Sequence, residues 1–270
     1  MLLCGFSAGA SAQQAGRPAG PQAQPGPVAK DSGASTESGK FYDKEMDLSF
    51  NYPVEMRTLD MMADMEAGHR NLYGESGEND PEHREARRCI RPLLDAELPA
   101  EKAPSRMASL EGVWTDQTKE HKDSYKPQPI FAKFVLIEFD RSCLPKKLQK
   151  DNKVDEVLHN MVLGAVSEPG LEAMFKPIWY EIGKQKIHMN SSVGRPIVNG
   201  KIEPAPVLIM AMATDWRGHL LEWVFTANDT EIFNEITKSL VRFGDGPWSP
   251  IFAPNIGPKG QGTPITVLPK

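Results

Sequence analysis

A long apolar stretch in the last third of the chain, interrupted by one tight turn, constrains the fold most. Residues 207–214 are nearly all apolar, and residues 220–225 are again rich in branched and aromatic side chains. Asp215-Trp216-Arg217-Gly218 lies between them. Two such runs joined by a short turn with a glycine are typical of a β-hairpin. Strands are therefore expected over Val207–Thr214 and Leu220–Phe225, in the centre of an antiparallel sheet.

A further strand and three helices complete the expected domain. Residues 131–139 alternate so that apolar side chains lie on both faces, which predicts a central strand covered on both sides. Apolar residues at helical spacing predict helices near 58–70, 153–166 and 229–240. Together these elements predict one α+β domain over residues 40–243, with a mostly antiparallel sheet of five or more strands flanked by helices.

Both ends of the chain differ from this middle region. Residues 1–12 hold a short apolar patch and Ala10-Ser11-Ala12, the small-x-small pattern of signal-peptidase sites, which predicts a signal peptide remnant. The alternative is a flexible alanine-rich terminus. Residues 13–39 contain no aromatic residue and are expected to form a disordered linker. Residues 244–270 are expected to be a Gly/Pro-rich tail whose first half lies extended across the domain.

Composition and motifs exclude several classes of function. The formal net charge of -5 over 270 residues argues against a nucleic-acid partner. The mean hydropathy of -0.43 and the absence of a long apolar run argue against a membrane-spanning helix. The sequence has no phosphate loop and no metal-ligand spacing. No catalytic residue, cofactor or metal is therefore predicted.

Two cysteines, Cys89 and Cys143, remain if residues 1–12 are removed. An even pair in an exported protein is commonly a disulfide, because that compartment is oxidising. Both cysteines lie at expected strand boundaries, and antiparallel pairing of those strands would bring them within disulfide reach. The alternative is two buried thiols in a cytosolic protein.

The hairpin turn supplies the candidate contact residues, Trp216, Arg217 and His219. An exposed tryptophan beside an arginine can contact a partner; the alternative is a tryptophan folded back onto the sheet. His188 and His219 are expected to neighbour each other in the meander, as hydrogen-bonded structural residues.

The order of these elements resembles the PsbP-like fold, shared by the photosystem extrinsic protein, a Ran-binding import factor and many bacterial secreted proteins. Three segments carry the resemblance: Leu48-Ser49-Phe50-Asn51-Tyr52-Pro53, Gly218-His219-Leu220-Leu221-Glu222-Trp223, and a closing helix that ends Ser239-Leu240-Val241-Arg242-Phe243. They span about residues 41–243. The resemblance implies a bacterial exported member that acts by binding or assembly, without naming a ligand.

Two classes of function follow from these observations. The first is an exported, periplasmic or secreted, non-catalytic module of the cell envelope, expected to be a monomer that binds an unknown protein or small ligand. The alternative is an extracytoplasmic hydrolase that uses His and carboxylate residues brought together by the fold. A pocket holding His188 or His219 with a carboxylate within ~3 Å would favour the enzyme. A shallow apolar patch around Trp216 would favour binding.

Overall fold

The computed structural model describes residues 34–37, 39–59, 88–106, 108–110, 128–174, 176–198, 200–203 and 205–252. Within these ranges the chain forms fifteen strands and two α-helices. The strands are β1 (Ala34–Glu37), β2 (Lys40–Asp43), β3 (Leu48–Asn51), β4 (Arg57–Thr58), β5 (Ile90–Glu97), β6 (Ala132–Asp140), β7 (Leu171–Ala173), β8 (Ile178–Ile182), β9 (Gln185–Gly194), β10 (Ile197–Val198), β11 (Lys201–Ile202), β12 (Val207–Trp216), β13 (His219–Ala227), β14 (Leu240–Phe243) and β15 (Ser249–Pro250). The helices are α1 (Asp151–Ala165) and α2 (Thr230–Thr237).

Two antiparallel sheets stack face to face. The larger has eight strands in the order β4-β5-β6-β13-β12-β9-β7, with β8 also paired to β9, and the smaller has five in the order β1-β2-β3-β14-β15. We call them the eight-stranded and the five-stranded sheet. A separate two-stranded hairpin pairs β10 with β11. The predicted class, an α+β fold with a mostly antiparallel sheet, is confirmed.

The central strands of the eight-stranded sheet are buried on both faces, as predicted for residues 131–139. Phe134 and Leu136 of β6 pack with Trp223 of β13 against Phe41 and Phe50 of the five-stranded sheet. The alternate residues of the same strands pack on the opposite face, where α1 contributes a stripe of buried side chains: Val154, Leu158 and Val162. The eight-stranded sheet therefore lies between a second sheet and a helix.

The β12–β13 hairpin closes with a two-residue turn, Arg217-Gly218, because Trp216 stands opposite His219 in the register. Both turn residues have positive φ, 52° at Arg217 and 85° at Gly218. This is the backbone of the primed turns that match the twist of paired strands, and glycine adopts it without steric cost. The predicted hairpin is confirmed: β12 begins at the predicted Val207 and runs two residues further, and β13 extends beyond both of its predicted ends.

Helix α2 starts one residue later than its predicted first residue. Asp229 is the N-cap, and its side chain accepts hydrogen bonds from the backbone N–H groups of Glu231 and Ile232. Burial alone would raise the pKa of Asp229, but hydrogen bonds from the Ser109 and Ile232 backbone and from Arg106 hold it below its usual value. The buried face of the helix, Phe233 and Ile236, packs into the buried cluster that the two sheets share.

Three expectations need correction. The predicted closing helix does not run to residue 243: α2 ends at Thr237, and Leu240–Phe243 is strand β14, paired with β3. The helix predicted near 58–70 does not begin at Thr58, which lies in β4 opposite Ala96; the rest of that range lies outside the described residues. The predicted linker over residues 13–39 is not free of regular structure at its end, because Ala34–Glu37 forms strand β1, whose backbone pairs with β2.

The start of the predicted Gly/Pro-rich tail packs on the domain. Ser249 and Pro250 pair with β14, and Ile251 is fully buried, so the start of the tail does lie extended along the domain. Residues 1–33 and 253–270 lie outside the described residues, so the signal peptide, most of the linker and the end of the tail stay predictions.

The predicted disulfide joins Cys89 to Cys143, with Cα atoms 5.8 Å apart. Cys89 directly precedes β5, and Cys143 ends the short 3-10 helix that follows β6. Antiparallel pairing of β5 with β6 places Ile90 opposite Phe139, which brings the start of one strand to the end of the other. The bond therefore forms where the strand boundaries predicted it.

Removing this disulfide should cost stability. The two cysteines are 54 residues apart in sequence, and closing a loop of that size restricts the unfolded chain by about 4 kcal/mol in the chain-entropy model. We expect the Cys89→Ser/Cys143→Ser double variant to lose up to about that free energy of unfolding in urea titrations. Alkylation of both thiols in denatured, unreduced wild-type protein would contradict the bond.

Candidate functional site

The outer face of the five-stranded sheet carries exposed aromatic and basic side chains. Its inner residues, such as Phe41 and Val241, are buried against the eight-stranded sheet. Side chains alternate along a strand, so the intervening residues point away from the core. The outer face is the name that we give to the outward residues of β2, β3, β14 and β15 together with the adjacent Trp248. The outward residues are Lys40, Tyr42, Ser49, Asn51, Leu240, Arg242 and Pro250.

One row of the outer face runs from Tyr42 through Ser49 to Arg242 and Trp248. Tyr42 pairs with Ser49, and Ser49 pairs with Arg242. The Arg242 guanidinium carbon lies 5.1 Å from the Trp248 ring centroid, and its Nη2 donates to Ser49 Oγ at 3.2 Å. Tyr42 and Trp248 stay 37% and 40% exposed. Large aromatics that flank an arginine are typical of binding hot spots.

The outer-face residues were not among the predicted contacts. Lys40-Phe41-Tyr42-Asp43 alternates strictly between exposed and buried residues, and that signal could have found β2. Nothing local indicates that Arg242 lies two strands away from Tyr42, with Trp248 beyond it, because that placement depends on pairing across about 190 residues of sequence.

Trp216 is folded back onto the protein. It is half-buried, its indole N–H donates to the Met46 carbonyl at 2.7 Å, and its ring lies 5.2 Å from the Phe243 ring. Arg217 stacks over the same indole and pairs with Asp47 at 3.1 Å, with its side chain 48% exposed. These residues join the tip of the β12–β13 hairpin to the turn between β2 and β3. A contact with a partner stays a prediction for Arg217.

His219 lies in a buried charge cluster on the face that meets the five-stranded sheet. Its Nδ1 is 2.5 Å from a carboxylate oxygen of Glu138, a nearly buried residue that also pairs with Arg91. Arg91 in turn reaches the fully buried Asp43 of β2 at 3.2 Å. The cluster therefore links both sheets, and buried charges of this kind are stable only when paired.

His188 lies on the opposite face of the eight-stranded sheet, so the expected pairing with His219 is wrong. Its neighbours Ile187 and Met189 point toward the five-stranded sheet, and strand alternation turns His188 toward α1. There its Nε2 lies 3.2 Å from Asp155 Oδ1, and Asp155 also binds Lys186 at 2.5 Å.

Burial lowers the pKa of His188, and the hydrogen bond that the ring makes to the Asp155 carboxylate only partly offsets this, which favours the neutral ring. Burial would raise the pKa of Asp155, but its contacts with Lys186 and His188 hold it below the usual value. Each histidine therefore faces a carboxylate: His188 faces Asp155 on the α1 side of the eight-stranded sheet, and His219 faces Glu138 on the opposite side.

Glu222 is a buried carboxyl on the α1 side of β13. It is 8% exposed, and its register neighbours are Ala213 and Ile137. Burial raises its pKa from 4.5 to about 7, because a charged carboxylate is poorly solvated among apolar side chains. Glu222 therefore carries its proton over much of the acidic range.

Across the described part of the chain, no group of His, Cys, Asp or Glu side chains has the geometry to hold a metal ion. In the same part of the chain, no helix is long and apolar enough to cross a membrane.

Comparisons with known proteins give similarity of structure only. No family model and no curated protein matches the chain. Among solved structures, it is similar to cyanobacterial PsbP from Synechocystis, with 12% identity and a TM-score of 0.37, covering 76% of this chain and 91% of that one. It is also similar to LpqN, involved in cell envelope biogenesis of Mycobacterium tuberculosis, with 10% identity and a TM-score of 0.35, covering 74% and 84%. The first belongs to the family that the sequence resembles; at these TM-scores neither supports an argument about function.

Trp216 should matter for stability rather than for binding. Trp216→Ala removes the bond to Met46 and the contact with Phe243, and we expect a loss of about 2–3 kcal/mol in the free energy of unfolding. Arg217→Ala breaks an exposed ion pair and should cost about 1 kcal/mol or less. Urea titrations of both variants measure this. Unchanged stability of Trp216→Ala would contradict this structural role.

Glu222 should make stability fall as the pH rises. Its pKa is higher in the folded than in the unfolded chain, so its contribution is full below about 4.5 and is lost as the pH rises through about 7. Between pH 5 and pH 8, the free energy of unfolding should fall less in Glu222→Gln than in the wild type, and we expect the two decreases to differ by up to about 3 kcal/mol. Glu172→Gln, at an exposed position of β7, is the matched control. Identical pH profiles of Glu222→Gln and the wild type would contradict the prediction.

Proposed function

We propose that this protein is an exported, non-catalytic binding module of the cell envelope that holds its partner on the outer face. The observation that carries this proposal is the row that joins Tyr42, Arg242 and Trp248. Two large aromatic side chains are left more than a third exposed there, although the other aromatic residues of the same sheet are at most 9% exposed. A monomeric protein gains nothing from this exposure, whereas a partner that covers these rings gains apolar burial.

Export is supported by the disulfide. Cys89 and Cys143 are bonded, and structural disulfides persist in oxidising compartments such as the periplasm and the outside of the cell. The Ala10-Ser11-Ala12 pattern at the start of the chain points the same way.

A non-catalytic role is supported by the separation of the two histidines of the eight-stranded sheet. His188 and His219 face opposite sides of one sheet, and each is engaged by a carboxylate that is in turn paired with a cation. The hydrolase remains the alternative because His219 and Glu138 meet the distance criterion for a general-base pair. Turnover in a hydrolase panel that is abolished by His219→Ala would favour it.

Capture from an envelope extract tests the proposal. Full-length tagged wild-type protein should retain a discrete partner that Trp248→Ala retains at least tenfold less. Ile202→Ser, which changes a 66% exposed residue of the β10–β11 hairpin, is the matched control and should retain the partner like the wild type. A partner held equally by all three proteins would place the binding site elsewhere, and recovery of the wild-type protein only from the cytosol would contradict export.

A further inference from the structure

The chemistry of the outer face identifies the class of partner, provided that the proposed function holds. We propose that the outer face binds a short, extended acidic segment of a partner protein, with carboxylates on Arg242 and Lys40 and an apolar or aromatic side chain between Tyr42 and Trp248. The proposal rests on the charge, shape and size of this face.

The outer face is basic on a chain that is acidic overall. Lys40 and Arg242 point outward from β2 and β14, and the outward residues of β2, β3 and β14 include no carboxylate, whereas the whole chain has a net charge of -5. Glu37 of the edge strand β1 stands opposite Lys40 in the register. Complementary charge of this kind selects acidic partners and excludes basic ones.

Arg242 is prepared to bind a carboxylate. A guanidinium has five N–H donors, and the hydrogen bond that the structure gives Arg242 among the described residues uses Nη2 toward Ser49. Its Nε is buried and makes no hydrogen bond within the same residues. Stacking on Trp248 holds the group in place, which leaves less side-chain freedom to lose on binding. Arginine held this way binds carboxylates in a fixed geometry.

The size of the face suits a short segment. Tyr42 and Trp248 are separated by three strand spacings, about 14 Å, and each strand is at most four residues or about 14 Å long. The area is therefore about 200 Å², well below the ~800 Å² that a folded partner usually covers. An extended segment of about five residues spans it.

A lipid surface fits this face less well. Anionic membranes are usually bound by clusters of about four to eight basic residues. The outer face presents Lys40 and Arg242, beside two aromatic rings that are better suited to side-chain packing.

Synthetic polymers of known composition test the inference on the full-length protein. The probes are fluorescent poly(Glu,Tyr), poly(Lys,Tyr) of the same tyrosine content, and phosphatidylglycerol vesicles, each titrated by anisotropy or sedimentation. We expect poly(Glu,Tyr) alone to bind, with an affinity that falls at least tenfold in Arg242→Gln and in Trp248→Ala and weakens with added salt. Lys40→Gln should give a smaller loss, and Ile202→Ser should bind like the wild type.

The outcomes separate this inference from the proposed function. Equal binding of poly(Glu,Tyr) by the wild type, Arg242→Gln and Trp248→Ala would overturn the acidic-segment inference, as would preference for poly(Lys,Tyr) or for vesicles. If the envelope partner were nevertheless lost from Trp248→Ala, the proposed function would stand with a partner of other chemistry. Thermal unfolding of each variant shows that a loss of binding is not a loss of fold.

Discussion

The structure depends on a sheet whose central strands are apolar on both faces. Strands β6, β12 and β13 contribute alternate residues to two separate buried clusters, so neither face can meet water. Each large apolar side chain that becomes buried stabilises the fold by about 1.5–3 kcal/mol, which makes two covering layers a requirement. The five-stranded sheet covers one face and α1 the other, and both layers are therefore consequences of the central strands.

The burial of both faces also determines the charge of the carboxyl groups that lie on the central strands. Glu222 interrupts the α1 side of β13 between Ala213 and Ile137, and burial among such neighbours raises its pKa to about 7. Glu138 is buried to a similar extent, but it stands near the end of β6, where Arg91 and His219 reach it from the two adjacent strands. One residue type thus has two electrostatic roles, set by whether charged or apolar side chains surround it on its face of the sheet.

An even pair of cysteines at expected strand boundaries was enough to predict the disulfide. Local periodicity was enough to predict the central strands of the eight-stranded sheet, α1 and most of α2. It could not predict the five-stranded sheet, whose strands have at most four residues and pair over long separations, as Phe50 does with Val241. Ile236, Leu240 and Phe243 follow at helical spacing, which explains why β14 was predicted as the end of a helix. The outer face was missed for the same reason, since it exists only once β3 and β14 are paired.

The two sheets differ in what they can offer a partner. Both faces of the eight-stranded sheet are used within the fold, whereas the five-stranded sheet needs only one face for the core. Its other face is free to vary without cost to the core, and on this chain it carries Tyr42, Arg242 and Trp248. Because these residues project from paired strands, a partner meets a surface that is already arranged, and little ordering entropy opposes binding. On so small a face, affinity must come from a few well-placed contacts, and Arg242 stacked on Trp248 is the best-placed of them.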